Sequence, residues 1–152
     1  NMTDIQAAIG LVQLRRYPAL LRRRREMIER YDAGIRRINE ELGRTALEGL
    51  RHFDGDRQSS GHLYLTRLLG VTRAQRDLVI ERMAEQGVAA NVHYKPLPLL
   101  TAYRKMGFDA SDFPNACQMF EQELTLPLHT RLSDEEIEYV LAVLKDCVGK
   151  VI

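Results

Sequence analysis

The chain has 152 residues, of which 45% are apolar and 28% charged, and its 22 Lys and Arg nearly balance its 21 Asp and Glu. This length and composition predict one ordinary globular domain with a substantial core. A net charge of +1 gives no global reason to expect nucleic acid or an anionic membrane as partner, and no apolar stretch is long enough to predict a transmembrane helix. We see no signal-peptide pattern, and we expect Cys117 and Cys147 to be reduced thiols of a cytoplasmic protein.

The first 42 residues predict a long kinked pair of helices. Thr3 and Gln6 form a capping-box pattern ahead of an apolar run, and Pro18 is expected to break, kink or restart the helix. A second helix with a period near 3.6 runs to about Leu42, where Gly43 is placed to end it.

Apolar residues surround the first helix on all sides instead of forming one stripe. Such a helix is normally buried on both faces, so we expect another domain or subunit to cover part of residues 1–42. A helix that starts at the third residue with no lead-in also suggests a piece cut from a longer polypeptide. Residues 43–152 then form a small α/β domain.

Strands and helices follow one another after residue 43. The turn-rich stretch 44–61 predicts a long connection, and three later stretches have the pattern of short strands. The predicted fold is α/β with α+β character, in which a small mixed or antiparallel sheet of about three strands is covered by helices. The predicted strands are 62–69, 88–94 and 124–128, and the predicted helices begin at Thr72, Leu99, Pro114 and Ser133.

One stretch has the pattern of a binding site. Val92 to Pro98 (VHYKPLP) places His93 and Tyr94 at the end of a predicted strand, just before a turn stiffened by proline. Loops held on rigid scaffolds are where binding residues concentrate. The alternative is that both rings only satisfy nearby backbone groups.

A second candidate is the basic run from Arg22 to Arg25, which would suit a phosphate or a polyanion. It keeps open a function of another class, a non-enzymatic interaction module with a basic helix face. The opposing interpretation is a solvated helix surface, since Glu26, Glu29 and Asp32 lie at helix-neighbour spacing from these arginines.

Four motifs follow one another along the chain. They are Asn1 to Leu14 (NMTDIQAAIGLVQL), Ser60 to Tyr64 (SGHLY), Val92 to Leu97 (VHYKPL), and Leu124 to His129 (LTLPLH) with Leu132 to Glu136 (LSDEE). Each motif is weak alone, but four in register are specific, and together they span nearly the whole chain. Taken together and in order, they resemble the DegT/DnrJ/EryC1/StrS family of sugar aminotransferases.

The resemblance implies the C-terminal domain of a fold-type-I pyridoxal-phosphate enzyme, usually a homodimer, that moves an amino group from glutamate to a nucleotide-linked keto-sugar. In that family a Schiff-base lysine of the large N-terminal domain holds the cofactor. None of the chain's four lysines stands in that lysine's context, so we assign no catalytic residue and expect this chain alone to be inactive. A sugar dehydratase of the same family stays open, because the deciding residue lies outside the chain.

The same resemblance implies site residues. His93 and Tyr94 match the family's loop and would face the sugar nucleotide, with hydrogen bonds to its hydroxyls or phosphates. Asn1 precedes the Met-Thr-Asp helix start, from which polar residues reach the cofactor phosphate or the substrate of the dimer partner. Many relatives have Arg immediately before that Met, so Asn1 departs from the pattern. We predict no metal ligands.

Overall fold

The computed structural model describes all residues from 1 to 152. The α-helices are α1 (Asp4–Glu41), α2 (Arg73–Glu85), α3 (Thr101–Lys105), α4 (Pro114–Gln122) and α5 (Asp134–Val151). The strands are β1 (Leu47–Gly49), β2 (Phe53–Asp54), β3 (Arg57–Gln58), β4 (Tyr64–Leu68) and β5 (Glu123–Leu126). Three antiparallel strands form a small sheet in the order β1-β4-β5, and a separate two-stranded hairpin pairs β2 with β3. The predicted α/β class with a small antiparallel sheet is confirmed.

The predicted pair of N-terminal helices is in fact one helix of 38 residues, and the chain does not break at Pro18. A proline inside a helix removes only one backbone hydrogen-bond donor. The helical turns before and after Pro18 keep their own hydrogen bonds, so α1 continues through it. The helix starts with the predicted capping box of Thr3 and Gln6. Gly43 follows its end with a φ of 65°, a left-handed conformation that favours glycine.

The two halves of α1 have different surroundings. In the second half, Met27, Ile28, Tyr31, Ile35 and Ile38 are buried in the domain core, and the helix packs on α5 and β1. In the first half every residue up to 19 is exposed except Ala7. The prediction that residues 1–42 pack on another domain therefore concerns the first half only, because the second half packs within this chain.

The core lies between the sheet and the helices. Tyr64 and Leu68 of β4 are fully buried, and the ring of Tyr64 stacks on Tyr31 of α1 with 4.8 Å between centroids. The Tyr64 hydroxyl donates to Asp32 over 2.6 Å, and the Tyr31 hydroxyl donates to the carbonyl of Pro127 over 2.8 Å. Burial raises the pKa of both phenols, so these hydroxyls remain protonated donors. They join α1 to the sheet.

Two predicted elements were wrong. The stretch 44–61 contains β1 and the β2–β3 hairpin, whose strands of two or three residues are too short to show an alternating pattern. The stretch 88–94 is not a strand: only Asn91 bridges to Thr125 of β5, and the chain then leaves the sheet. The sheet therefore has the predicted number of strands, but its third strand is β1, at the edge opposite the one where Asn91 bridges β5.

The remaining predicted elements are present, with small shifts of their bounds. β4 lies within its predicted stretch, β5 begins one residue before its own, and α4 begins at Pro114. The helix expected from Leu99 begins at Thr101, after a 3₁₀ turn. Capping boxes open α2 at Thr72 and α5 at Ser133. No helix combines the length and apolar character that crossing a membrane requires.

Candidate functional site

The loop that carries His93 and Tyr94 is fixed at the edge of β5. Asn91 and Thr125 exchange two backbone hydrogen bonds of 3.2 and 2.7 Å, so the loop begins beside that strand. On its far side the loop continues into a 3₁₀ turn, Leu97–Leu99, in which Pro98 is buried. The loop is therefore anchored at both ends, with its polar rings between the anchors.

His93 is held by two side chains of β5. Its backbone N–H donates to Glu123 Oε2 over 2.8 Å, and its ring Nδ1 lies 3.0 Å from Thr125 Oγ1. The Thr125 hydroxyl in turn donates a short hydrogen bond to Glu123 Oε1. Because Glu123 and Thr125 are two residues apart on one strand, their side chains share a face, and that face orients the imidazole.

Glu123 is a buried carboxyl with only 2% of its surface exposed. Burial raises its pKa, while hydrogen bonds from Thr125 and the His93 N–H, and the positive charge of Arg76, act in the opposite direction. Arg76 is itself 1% exposed, donates to the Glu123 carbonyl over 2.8 Å and lies over the Phe120 ring. The site therefore rests on a buried carboxyl group that is hydrogen-bonded at both oxygens.

Tyr94 is the exposed member of the pair. It is 72% exposed, and its ring meets His93 edge to face with 4.8 Å between centroids. Its hydroxyl makes no hydrogen bond within the chain, whereas the His93 backbone and Nδ1 are both engaged. The arrangement presents one oriented imidazole and one free phenol on the surface, which is suited to binding a polar ligand.

An apolar hollow of about 330 Å³ lies directly beyond this loop. It is formed by the proline turn together with aromatic side chains from α3 and from the segment that precedes α4. The lining residues are Pro96, Leu97, Pro98, Tyr103, Phe108, Phe113 and Ala116.

Asn1 is not brought to this pair. It is exposed ahead of α1 and shares no hydrogen bond with His93 or Tyr94. It lies at the start of the exposed half of the helix.

Most of the basic run is engaged inside the molecule. Three of its four arginines bind partners in the chain, which leaves Arg22 as the exposed member without an ion pair. Arg23 binds Asp134 at 2.8 Å, Arg24 binds the Gly61 carbonyl at 2.6 Å, and Arg25 binds Glu29 at 2.9 Å. Arg23 and Arg30 together lower the pKa of Asp134, the first residue of α5. Arg23 and Arg24 therefore join α1 to the rest of the domain, while Arg25 pairs along the exposed surface of the helix.

Sequence reasoning missed Glu123, Thr125 and Arg76. The available signal was a charged residue and a hydroxyl two positions apart on a strand whose other residues are leucines. A carboxylate on an otherwise apolar buried strand requires partners, and here those partners come from the loop and from α2.

The lysines do not fit a role as cofactor anchor. Lys95, Lys105, Lys145 and Lys150 are all exposed, and the last two are paired with Glu41 and Asp146. A lysine that forms a Schiff base is activated by a desolvated pocket or a neighbouring cation, and none of the four has either. The residues present in this chain therefore do not hold pyridoxal phosphate covalently.

The fold agrees with comparisons to known proteins. The profile of the DegT/DnrJ/EryC1/StrS aminotransferase family matches residues 1–145, so the chain belongs to that family. It is 31% identical over 97% of its length to the spore coat polysaccharide biosynthesis protein SpsC of Bacillus subtilis. It is 30% identical over 92% of its length to a UDP-4-amino-4,6-dideoxy-N-acetyl-beta-L-altrosamine transaminase of Helicobacter pylori.

Among solved structures, the chain resembles Spr1654 of Streptococcus pneumoniae, a protein described as a sugar aminotransferase, with a TM-score of 0.91, 49% identity and full coverage of this chain. The aminotransferase TlmJ of Streptoalloteichus hindustanus gives a TM-score of 0.82 at 34% identity over 98% of the chain. The chain spans about a third of the length of these relatives: 37% of SpsC, 35% of the transaminase and 36% of Spr1654.

Proposed function

We propose that this chain is the C-terminal, substrate-side domain of a pyridoxal-phosphate-dependent aminotransferase that moves an amino group from glutamate to a nucleotide-linked keto-sugar. The observation that carries the proposal is the oriented pair of His93 and Tyr94, held on the buried Glu123 and exposed to a ligand. Membership of the family supports the reaction class. The relatives named as transaminases of amino sugars support transamination over the dehydratase alternative.

The chain's own residues bind and orient the substrate in this proposal. His93 and Tyr94 donate or accept hydrogen bonds to the sugar nucleotide. Pyridoxal phosphate, named in the bound forms of the similar S. pneumoniae structure, supplies the electron sink when present. The lysines here do not fit it, so the lysine that anchors it lies outside this chain, and the chain alone is inactive.

The exposed half of α1 supplies the contacts to the rest of the enzyme. Ile5, Ile9, Leu11, Val12 and Leu14 are each more than half exposed, which is unusual for neighbouring large apolar residues. We propose that this half packs on the large domain and on the second protomer of a homodimer. Asn1 at its start then reaches towards the cofactor phosphate or substrate of that protomer.

The reaction is tested with the full-length protein that contains this chain. It is supplied with pyridoxal phosphate, ¹⁵N-glutamate and a panel of nucleotide-linked keto-sugars, and the products are analysed by mass spectrometry. We expect ¹⁵N in an amino-sugar nucleotide. Loss of water from the sugar without nitrogen transfer would instead identify a dehydratase, and no turnover of any sugar would contradict both.

The binding role is tested with Tyr94→Phe and His93→Ala in the same protein. Each removes hydrogen bonds to the sugar, so we expect KM for the sugar nucleotide to rise about two- to tenfold while the reaction with glutamate alone is unchanged. Tyr139→Phe is the matched control, because Tyr139 is also exposed but lies on α5 and donates to the Gln86 carbonyl. An unchanged KM in both variants would remove this pair from the site.

A further inference from the structure

We infer that Glu123 and Thr125 are positioning residues that fix which ring nitrogen of His93 carries the proton, so that His93 presents Nε2 as a hydrogen-bond acceptor to a hydroxyl of the substrate. This deepens the proposed function and, where it concerns the substrate, rests on it. An accepting Nε2 also decides which group of the sugar nucleotide His93 binds. A sugar hydroxyl has a proton to donate to it, whereas an ionised phosphate has none.

The direction of the hydrogen bonds follows from a count of protons. A threonine hydroxyl has one proton and an ionised carboxylate has none. Glu123 Oε2 accepts from the His93 backbone N–H, a group that can only donate. Glu123 Oε1 accepts the hydroxyl proton of Thr125. Thr125 Oγ1 therefore has only lone pairs left to face the imidazole.

The ring nitrogen that faces Thr125 must then be the donor. His93 Nδ1 lies 3.0 Å from Thr125 Oγ1, so in the neutral ring Nδ1 carries the hydrogen and Nε2 is bare. Nε2 makes no hydrogen bond within the chain, and the neighbouring ring of Tyr94 is largely exposed. A hydroxyl that approaches this surface finds an acceptor at His93.

The inference takes Glu123 in its ionised, accepting form, which burial opposes and which its hydrogen bonds and the charge of Arg76 support. Two hydrogen bonds are donated to its carboxylate, and the Arg76 guanidinium is held beside it by the bond to the Glu123 carbonyl. With Glu123 ionised, the network runs from His93 through Thr125 to Glu123. A protonated Glu123 would instead donate to Thr125 and reverse that direction, and the tautomer of His93 distinguishes the two.

The substitution Glu123→Gln reverses this direction without changing the size of the side chain. The His93 N–H must still find an acceptor, so the amide oxygen faces it and the amide NH₂ faces Thr125. Thr125 Oγ1 then accepts from the amide and donates its own proton to His93 Nδ1. We expect the neutral ring to move its hydrogen from Nδ1 to Nε2.

The tautomer is measured on the 152-residue chain by ¹⁵N NMR of the neutral imidazole, with the His93 signals assigned from a His93→Gln variant. The wild type is expected to show a protonated Nδ1 and a bare Nε2, and Glu123→Gln the reverse. Thr125→Ser is expected to keep the wild-type pattern, and Thr125→Val to lose the preference for Nδ1. The other three histidines serve as internal controls and are expected to be unchanged.

A wild-type His93 protonated at Nε2, or a Glu123→Gln variant that keeps the hydrogen on Nδ1, would overturn the inference. If Glu123→Gln does not fold, the pair Thr125→Ser and Thr125→Val decides it: equal tautomer patterns in the two would also overturn it. Because no substrate is present, this result is independent of the ¹⁵N-transfer assay. Failure of that assay with the predicted tautomer would count against the proposed function, while success with the opposite tautomer would count against the inference.

Discussion

At the scale of single residues, the site depends on charges that lie beneath it. In the proposed site His93 faces the ligand, and its contacts with Glu123 and Thr125 orient it. Glu123 is in turn accompanied by the buried Arg76. Buried charged groups are costly unless hydrogen bonds satisfy them, and a network of this kind fixes geometry at some expense of stability. The consequence is a measurable dependence of stability on pH.

The pKa of Glu123 is raised in the folded chain, chiefly by burial. For an acid this means that its contribution to stability is fully present below its unfolded pKa and is lost as the pH rises through the folded value. We expect the free energy of unfolding of the wild type, relative to Glu123→Gln, to fall between acid and neutral pH. Urea unfolding of both proteins over that pH range measures this free-energy difference. A wild type that gains stability over Glu123→Gln as the pH rises would contradict the prediction.

At the scale of elements, α1 shows what local pattern predicts and what it does not. Its capping box and its end at Gly43 are local features, and both were predicted from a few adjacent residues. The continuity of the helix through Pro18 depends on the turns around it, and the separate fates of its two halves depend on tertiary packing. The sequence pattern alone could not show where the exposed half of the helix ends and the buried half begins.

The close packing of α1 on α5 is tested at Gly34. A Cβ there would overlap Leu141 Cδ1 and lie 3.0 Å from its Cγ, and Leu141 is buried and has little room to move. We expect Gly34→Ala to destabilise the fold by about 1–3 kcal/mol in spite of alanine's higher helix propensity.

Gly10→Ala is the matched control, since nothing lies within 4 Å of a Cβ at that position of the same helix. It should raise helix content without lowering the midpoint of chemical unfolding. If both variants were equally stable, α1 and α5 would not pack as closely as described.

The site was predictable in part for related reasons. His93 and Tyr94 stand beside prolines in a recognisable stretch, so the sequence located them. Their partners Glu123 and Thr125 are some 30 residues away, and only the bridge between Asn91 and Thr125 brings them together. The stretch 88–94, predicted as a strand, lies beside the sheet but makes only one bridge to β5 instead of a full ladder of hydrogen bonds.

At the scale of the whole molecule, the chain consists of a packed domain and a helical arm, the exposed first half of α1. Residues of the arm are exposed except Ala7, so tertiary packing does little to support their backbone hydrogen bonds, and isolated helices of this length are marginal in water. We expect amide hydrogens of residues 5–17 to exchange much faster than those of residues 27–38 in the isolated chain. Hydrogen exchange followed by mass spectrometry measures the difference.

The same experiment on the full-length protein separates two interpretations of the arm. Burial against the large domain and the second protomer predicts that residues 5–17 become protected there. If residues 5–17 exchange equally fast in the isolated chain and in the full-length protein, the arm does not pack on the partners that we propose.

The central claim is that this chain forms the substrate-side part of an enzyme whose cofactor is anchored elsewhere. The most direct test is to reduce the full-length protein with borohydride in the presence of pyridoxal phosphate and to locate the modified lysine by peptide mapping. We predict a stoichiometric pyridoxyl-lysine outside this chain and none at Lys95, Lys105, Lys145 or Lys150. A stoichiometric adduct on any of those four would contradict the account.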